Sequence, residues 1–147
     1  MKSGSVGFLI MAILAAGAAW RVAPAHPSSS PPIELLRTPG GGIQPRAVAD
    51  SQGTLHVIYY KGAAAGGDLY YVRRAPGATD FVKPIRVNSV PGSALAIGSV
   101  RGAQLALGRG GRLHVMWIGS KQAQPRAKGG AVPVLYTRLN DAGTAET

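Results

Sequence analysis

The 147-residue chain contains no cysteine and few acidic or aromatic residues. The absence of cysteine excludes disulfides, zinc sites built from thiolates and a cysteine nucleophile. Only six residues are Asp or Glu, against sixteen Lys or Arg, so the net charge is +10. Hydrophobic residues nevertheless make up 46% of the chain, which is typical of a folded domain rather than a disordered one. Apolar burial and backbone hydrogen bonds must therefore hold the fold together.

The positive charge attracts anionic partners such as an acidic glycan, a nucleic acid or a membrane surface. The basic residues are scattered singly, without a helix-turn-helix or RNA-binding signature, so no nucleic-acid partner is expected. One alternative is a solvated basic surface without a dedicated partner. Another hypothesis is an envelope protein that binds polyanions through charge alone, in which case binding must weaken with salt.

The N-terminal region is typical of an exported protein. Lys2 precedes an apolar stretch over residues 6–19, and residues 23–25 read Ala-Pro-Ala, a small-residue cleavage pattern. We therefore predict a signal peptide over residues 1–25, a secreted, periplasmic or cell-envelope location, and no stable membrane span after cleavage. An uncleaved anchor is the alternative. Residues 26–42, rich in Pro, Ser and Gly, are predicted to form a flexible linker.

One short segment occurs twice in the chain. Residues 53–59 and 111–117 both follow the template Gly-x-Leu-His-Val-x-aromatic, and the copies begin 58 residues apart. A Gly-rich loop follows each copy, and then a second similar piece, Leu-Tyr-Tyr-Val-Arg at 69–73 and Val-Leu-Tyr-Thr-Arg at 134–138. Self-similarity in a fixed order indicates a repeat architecture, in which each unit buries its apolar faces against its neighbours.

Each copy lies in a predicted series of short antiparallel strands separated by polar or Gly-rich turns. The predicted strands of the first unit are residues 44–49, 54–60, 69–74 and 81–87, and those of the second are 102–107, 112–118 and 132–139. Residues 61–67 are predicted to form a loop. The second unit is predicted to lack its fourth strand.

Four consecutive antiparallel strands describe one blade of a β-propeller. The predicted fold class is therefore all-β, a partial propeller over residues 43–147 with four-stranded blades at about 43–88 and about 100–147. Closed rings use roughly 4–8 blades of ~40–45 residues, so about two blades form an incomplete propeller. We accordingly predict an N-terminal piece of a longer protein, with the remaining blades of the parent chain as its partners.

The repeated strands and the turns after the third strands resemble the sialidase-like, Asp-box (BNR-repeat) six-bladed propeller family. An Asp-box reads approximately Ser/Thr-x-Asp-x-Gly-x-x-Trp/Phe. Residues 139–146 keep the Asp and the Gly of this pattern but carry Glu146 at the aromatic position, and residues 74–81 keep a turn before Phe81. The resemblance covers about residues 43–147. It implies a glycan-binding protein or an exo-α-sialidase-type glycoside hydrolase.

The resemblance also implies candidate site residues. Family members grip the substrate carboxylate with arginines, whose forked guanidinium groups match it bidentately, and protonate the glycosidic oxygen with an aspartate. On this pattern Arg46 is the candidate substrate-binding residue, although the Ile-Pro that follows the family arginine is absent, and Asp68 is the candidate catalytic acid. The alternatives are a solvated or turn-capping arginine and an aspartate that hydrogen-bonds its local turn. The other catalytic groups would come from later blades, so this fragment alone is predicted to be inactive.

The repeated histidines and the aromatic residues receive structural interpretations. His56 and His114 are predicted to pack, because equivalent positions recur with the template and no third ligand lies nearby in sequence. Asp50 is predicted to form a turn. The predicted core between the blades consists of Tyr59, Tyr60, Tyr70, Tyr71, Trp117 and Tyr136. Neither a metal nor a cofactor is predicted.

The predicted function is that of an exported sialidase-like propeller fragment whose parent protein binds or hydrolyses an anionic glycan or sialoside. The alternative is a non-catalytic propeller that serves as a carbohydrate or protein interaction module. The departures from the Asp-box and from the Arg-Ile-Pro motif favour the alternative. The positions of Arg46 and Asp68 favour the enzyme.

Overall fold

The structure is a computed structural model that describes residues 33–98, 102–126, 128–140 and 145–146. The predicted signal peptide, residues 26–32 of the predicted linker and residues 141–144 of the Asp-box-like turn lie outside the described residues. The chain divides into two units, residues 1–34 and 35–147. Ile33 and Glu34 are the described residues of the first unit and have no regular secondary structure, whereas all the strands belong to the second.

Two antiparallel sheets of four strands each make up the second unit. The first contains β1 (Ile43–Ala49), β2 (Leu55–Ala63), β3 (Gly66–Arg74) and β4 (Ile85–Arg86). The second contains β5 (Ala103–Leu107), β6 (Leu113–Ile118), β7 (Val134–Leu139) and β8 (Ala145–Glu146). Strands adjacent in the chain are adjacent in each sheet, so both sheets are open meanders.

The prediction of an all-β fold is confirmed for the described residues. Their helical elements are single 3-10 turns at Pro39–Gly41, Arg109–Gly111 and Lys128–Gly130. In the part of the chain that the structure describes, no helix has the length and hydropathy needed to cross a membrane.

The predicted loop over residues 61–67 is wrong, because the β2–β3 hairpin continues through it. Lys61 pairs with Asp68 and Gly62 with Gly67, and the turn itself comprises only residues 64–65. Gly67 allows this close approach, since a Cβ there would overlap the hydroxyl of Tyr60. Small residues have low strand propensity, but the ladder requires only backbone N–H and C=O groups.

The fourth strands also differ from the prediction. In the first sheet the strand predicted over residues 81–87 is reduced to Ile85–Arg86, directly after Pro84, which has no N–H to donate. The second sheet, predicted to lack a fourth strand, has one, because Ala145–Glu146 pairs with the end of β7. Two residues are too few for the alternating pattern by which strands are recognised in a sequence.

The two sheets repeat each other in register. Ile58 pairs with Tyr71 in the first sheet, and Met116 pairs with Tyr136 at the equivalent position of the second. The repeated histidines lie two residues before Ile58 and Met116, on the same face of their strands. The sequence repeat is therefore also a repeat of sheet geometry.

The main core lies between the two sheets, and a smaller cluster lies on the other face of the first sheet. Tyr60, Tyr71 and Trp117 are buried in the main core, as predicted. Tyr59 and Tyr70 instead join the smaller cluster, which consists of Val57, Tyr59 and Val72 with Leu55, Tyr70 and Phe81 packed against them. The prediction for Tyr136 is wrong, because its side chain is 58% exposed on the outer face of the second sheet.

The segment that joins the sheets is hydrogen-bonded to both of them. Ala94 exchanges two backbone hydrogen bonds of 3.0 Å with Gly67 at the start of β3. The N–H of Ser120, just after β6, donates to the carbonyl of Ser93 at 2.9 Å. These bonds fix how the sheets meet at this end, and a cleft opens between them elsewhere.

Candidate functional site

A cleft of about 580 Å³ lies between the two sheets where β1 turns into β2. The first sheet contributes the β1–β2 turn and part of β3, and the second contributes the β5–β6 turn and the end of β7. The polar residues that matter for its chemistry are Asp50, His56, Tyr71, Arg73, Arg112 and Asn140.

Three side chains of the first sheet form a hydrogen-bonded row in this cleft. Nε2 of His56 lies 3.2 Å from Oδ2 of Asp50, and Nδ1 lies 2.7 Å from the hydroxyl of Tyr71. Since a carboxylate can only accept, Nε2 carries a proton, and in the neutral ring Nδ1 accepts from the Tyr71 O–H. Both ring nitrogens of the buried His56 therefore have partners.

The β1–β2 turn positions Asp50 for this row. Oδ1 of Asp50 accepts from the N–H of Gln52 at 2.9 Å and from the N–H of Thr54 at 2.8 Å. Gly53 has a φ of +81°, a conformation that favours glycine. The prediction that Asp50 forms a turn is confirmed, and its second oxygen remains available to His56.

The surroundings of the row shift two pKa values in opposite directions. Burial raises the pKa of Asp50, but hydrogen bonds from Thr54, His56 and Gln52 outweigh it and hold the pKa below its ordinary value. Burial raises the pKa of Tyr71, which Arg73 opposes and Asp50 reinforces. At neutral pH the row thus has a carboxylate at one end and a protonated phenol at the other. Tyr71 acts here as a hydrogen-bond donor.

The second sheet repeats the row without its carboxylate. Nδ1 of His114 lies 2.7 Å from the hydroxyl of Tyr136, as His56 does from Tyr71. Gly108 occupies the position of Asp50, and its N–H donates to the carbonyl of Arg112 at 2.7 Å to form the same turn. A Cβ at Gly108 would overlap Nε2 of His114, so the imidazole takes up the space that a side chain would need.

Two arginines bring positive charge to the cleft from its two sides. Arg73 lies on β3 of the first sheet, Arg112 lies directly before β6 of the second, and both are exposed. Asp50 is the one acidic residue among the described residues that line the cleft. A guanidinium group binds carboxylate or sulfate oxygens through paired hydrogen bonds, so the cleft has the chemistry to accept an anionic group.

Arg46, the predicted substrate-binding residue, lies on β1 opposite Ile58 and is exposed. A β-bulge between Ile43 and Arg46 precedes it, with Gln44 at a φ of +53°. Cross-strand partners point to the same face of a sheet, so Arg46 shares the face of Ile58.

Asp68, the predicted catalytic acid, is half-buried on β3. Its Oδ1 accepts from Nδ2 of Asn88 and from the N–H of Gly92, both at 2.8 Å. Asn88 is 1% exposed, and its own Oδ1 accepts from the N–H of Leu69 at 2.8 Å. Asp68 therefore anchors the segment that joins the two sheets, rather than its local turn.

Arg46 and Asp68 point to opposite faces of the first sheet. Arg46 pairs with Ile58 and Asp68 pairs with Lys61, three residues further along β2. Side chains alternate between faces along a strand, so an odd separation places these two on different sides. The structure does not bring them together, and their roles stay predictions.

The hydrogen-bonded row is the feature that sequence reasoning missed. The sequence contains one clue to it. The residue directly after the first strand is Asp50 in one copy and Gly108 in the other, so only the first copy has a carboxylate at this position. Tyr71 comes from a different strand, and its meeting with His56 depends on the β2–β3 register. The described residues hold no group of three or more His, Asp or Glu side chains suited to a metal ion.

Comparison of the chain with protein-family models, curated proteins and solved structures finds no match.

Proposed function

We propose that the two sheets are neighbouring blades of a sialidase-like propeller in an exported protein, and that this protein binds an anionic glycan. The blade assignment is supported by two four-stranded meanders that repeat each other in register. Export to the cell envelope, periplasm or medium is supported by the signal-like composition of residues 1–25. Recovery of the exported protein with His26 as its first residue would verify that part of the proposal.

The observation that carries the binding function is the cleft with one arginine from each sheet. Arg73 and Arg112 line the same space of about 580 Å³, together with the row that ends at Tyr71. The net charge of +10 draws polyanions toward the protein, and the two guanidinium groups give the carboxylate or sulfate of a sugar a defined place to bind.

Binding without hydrolysis is favoured by the surroundings of Asp68. A general acid must reach the glycosidic oxygen while an arginine holds the same substrate. Oδ1 of Asp68 already accepts two hydrogen bonds from the joining segment, and Arg46 points to the other face of the sheet. The protein therefore acts as a carbohydrate interaction module.

Calorimetric titration of the 147-residue chain with a sialylated oligosaccharide and with a heparin oligosaccharide tests the binding proposal. Arg73→Gln and Arg112→Gln should each weaken binding by about tenfold or more, since each removes a charge-assisted pair of hydrogen bonds. Arg46→Gln is the matched control, because it removes the same charge outside the cleft and should change affinity less than about threefold.

The pattern of affinities separates the possible results. Equal losses in all three variants that disappear at high salt would indicate non-specific attraction and contradict a defined site. A loss confined to Arg46→Gln would move the site to the position implied by the family resemblance. Failure of the unaltered protein to bind either oligosaccharide would refute the proposal.

Exo-α-sialidase-type hydrolysis remains the second candidate, with Arg46 as the carboxylate ligand and Asp68 as the acid. Turnover of a fluorogenic α-sialoside by the full-length parent protein, and its loss in Asp68→Asn, would support this candidate over a binding module. Asp68→Asn is suitable because an amide keeps an oxygen that can accept from Asn88 and Gly92. Absence of turnover in the unaltered parent would exclude hydrolysis of that sialoside.

A further inference from the structure

The cleft between the sheets continues past Arg73 along the edge of the first sheet. Tyr71 and Arg73 line both the cleft and a second depression of about 490 Å³, which residues 82–85 also line. The N–H of Val82 donates to the carbonyl of Arg73 at 2.9 Å, so this segment lies alongside β3. Lys83 follows Val82 in the segment, and the second depression therefore has a lysine in addition to the arginine that it shares with the cleft.

A third depression, of about 270 Å³, reaches the other face of the first sheet. It meets the second depression at Pro84, which lines both. Tyr59, Tyr70 and Lys61 line it as well. Lys61 lies two residues after Tyr59 on β2 and so shares its face of the sheet. The three spaces thus follow one another from the cleft around the edge of the first sheet.

Positive side chains line each of these three spaces. Arg112 and Arg73 lie in the cleft, Lys83 lies with Arg73 in the second depression, and Lys61 lies in the third. All four side chains are exposed. No acidic residue is among the described residues that line the second and third depressions, whereas Asp50 lines the cleft. We call this series of four cations the basic track.

The two lysines of the basic track are not neutralised by acidic neighbours. In the part of the chain that the structure describes, no carboxylate lies within ion-pair distance of Lys61 or Lys83. Asp68 pairs with Lys61 across the hairpin, but its Oδ1 accepts hydrogen bonds from the segment that joins the sheets. The backbone of Gly40 lies so close to Nζ of Lys61 that a Cβ there would overlap it. Both lysines are therefore available to an anionic ligand.

A series of cations on two faces of one sheet selects a ligand by its length. A sugar with a single carboxylate reaches the cleft alone, whereas a chain with an anionic group on successive sugar units contacts several cations at once. Each further contact forms within the complex once the first is made, so the contacts reinforce one another. The basic track therefore favours a long, multiply charged ligand over a single charged sugar.

The aromatic residues beside the basic track favour a polysaccharide over a single-stranded nucleic acid. Tyr59 and Tyr70 stack on each other, with ring centroids 5.9 Å apart. Tyr59 is 2% exposed and Tyr70 is half-buried, so neither ring is an open platform. Proteins that bind single strands without sequence preference stack bases on such platforms. Sulfate and carboxylate groups of a polysaccharide need only the cations.

We propose that the basic track binds a linear polysaccharide with sulfate or carboxylate groups on successive sugar units. The polysaccharide chain runs from Arg112 and Arg73 in the cleft, past Lys83, to Lys61 on the other face of the first sheet. This inference rests on the proposed binding of an anionic glycan in the cleft. It specifies the class of glycan as an internal stretch of a glycosaminoglycan-type chain, rather than a single terminal sialic acid.

Calorimetric titration of the 147-residue chain with a heparin disaccharide and a heparin hexasaccharide tests the proposal. The hexasaccharide should bind at least about tenfold more tightly, since only the longer chain reaches beyond the cleft. Lys83→Gln and Lys61→Gln should each weaken hexasaccharide binding by about threefold or more, because each removes a charged contact. Both should change binding of the disaccharide less than about twofold, since it occupies the cleft alone.

Lys128→Gln is the matched control for the two lysine variants. Lys128 is also exposed, and it lines none of the three spaces. Its replacement removes the same charge and should change hexasaccharide binding less than about twofold. Lys83→Arg keeps the positive charge and should retain most of the affinity. Equal losses in all three glutamine variants would overturn the proposal, because they would show attraction by net charge alone.

A single-stranded DNA oligonucleotide with the charge of the hexasaccharide is the competing ligand. Weaker binding of the oligonucleotide supports the proposal. Equally tight binding, with the same losses in Lys83→Gln and Lys61→Gln, would assign the basic track to a nucleic acid and refute it.

The arginine variants of the cleft separate a failure of this inference from a failure of the proposed function. If Arg73→Gln and Arg112→Gln weaken hexasaccharide binding but Lys83→Gln and Lys61→Gln do not, the cleft binds the glycan and the basic track is refuted. If the unaltered protein binds neither heparin oligosaccharide nor the sialylated one, the proposed function and this inference are both refuted.

Discussion

Tyr71 and Tyr136 lie at equivalent positions of the two sheets, and each hydroxyl lies 2.7 Å from Nδ1 of a histidine, yet Tyr71 is 2% exposed and Tyr136 is 58% exposed. The hydrogen bond therefore comes from the strand pairing within each sheet, whereas the burial depends on whether another sheet covers that face. Substitutions at Ile58 and Tyr71 consequently have controls at Met116 and Tyr136, where the pairing is the same but the burial is not.

The clearest test of the stacking is the pair Ile58→Ala and Met116→Ala. Ile58 is 0% exposed in the core between the sheets, so its truncation should lower the free energy of unfolding by about 2–5 kcal/mol. Met116 is 47% exposed at the equivalent position, so its truncation should cost less than about 1 kcal/mol. Urea unfolding of the two variants measures both values, and equal losses would contradict the burial of Ile58 between the two sheets.

The histidine–tyrosine bond is tested by Tyr71→Phe against Tyr136→Phe. Removal of the Tyr71 hydroxyl leaves Nδ1 of the buried His56 without its donor, which should cost about 1–3 kcal/mol. His114 beside the exposed Tyr136 can bond water instead, so Tyr136→Phe should lie within about 0.5 kcal/mol of the unaltered protein. A larger loss in Tyr136→Phe than in Tyr71→Phe would be inconsistent with this assignment.

The lowered pKa of Asp50 predicts that this residue stabilises the folded chain less as the pH falls. Its pKa is lower in the folded chain, so its stabilising contribution is present above the unfolded pKa and is lost as pH falls through the folded pKa. The difference in free energy of unfolding between the unaltered protein and Asp50→Asn should therefore be constant near neutral pH and shrink below about pH 4. Urea unfolding at several pH values measures the difference, and a difference that grows on acidification would show that the sign is wrong.

The segment that joins the sheets should depend more on Asn88 than on the charge of Asp68. Asn88→Ala leaves the buried N–H of Leu69 without an acceptor and should cost at least about 1–3 kcal/mol. Asp68→Asn keeps an acceptor oxygen and should cost less than about 1 kcal/mol. Hydrogen exchange at Gly67 and Ala94 should accelerate in Asn88→Ala and change little in Asp68→Asn.

The strands of this fold were largely predictable because their signals are local. The β-branched and aromatic residues of β2 and β6 predict strands by themselves, and the repeated template predicts that the two are equivalent. The prediction was wrong where strands pair through backbone hydrogen bonds and their side chains show no strand preference. This is the case at the Gly-rich end of the β2–β3 hairpin and in β8. Composition carries little information about such pairing.

The candidate site could be predicted only in part. Asp50 was recognisable as a turn residue, since its spacing from Gly53 is local. Its meeting with His56 and Tyr71 depends on three strands in one register, and the arginines of the cleft come from different sheets. The sequence allows Arg46 and Asp68 to belong to one site. The structure places them on opposite faces of the first sheet, because their partners on β2, Ile58 and Lys61, are an odd number of residues apart.

The sequence by itself determined that this chain forms repeated antiparallel strands and carries a large positive charge, because both follow from the order and chemistry of neighbouring residues. Only the tertiary structure decided which apolar face of each sheet is covered. Ile58 and Met116 occupy the same position of the repeated template, and either face of such a strand can pack against another sheet. Burial depends on the sheet opposite, so no window of sequence around either residue contains that information.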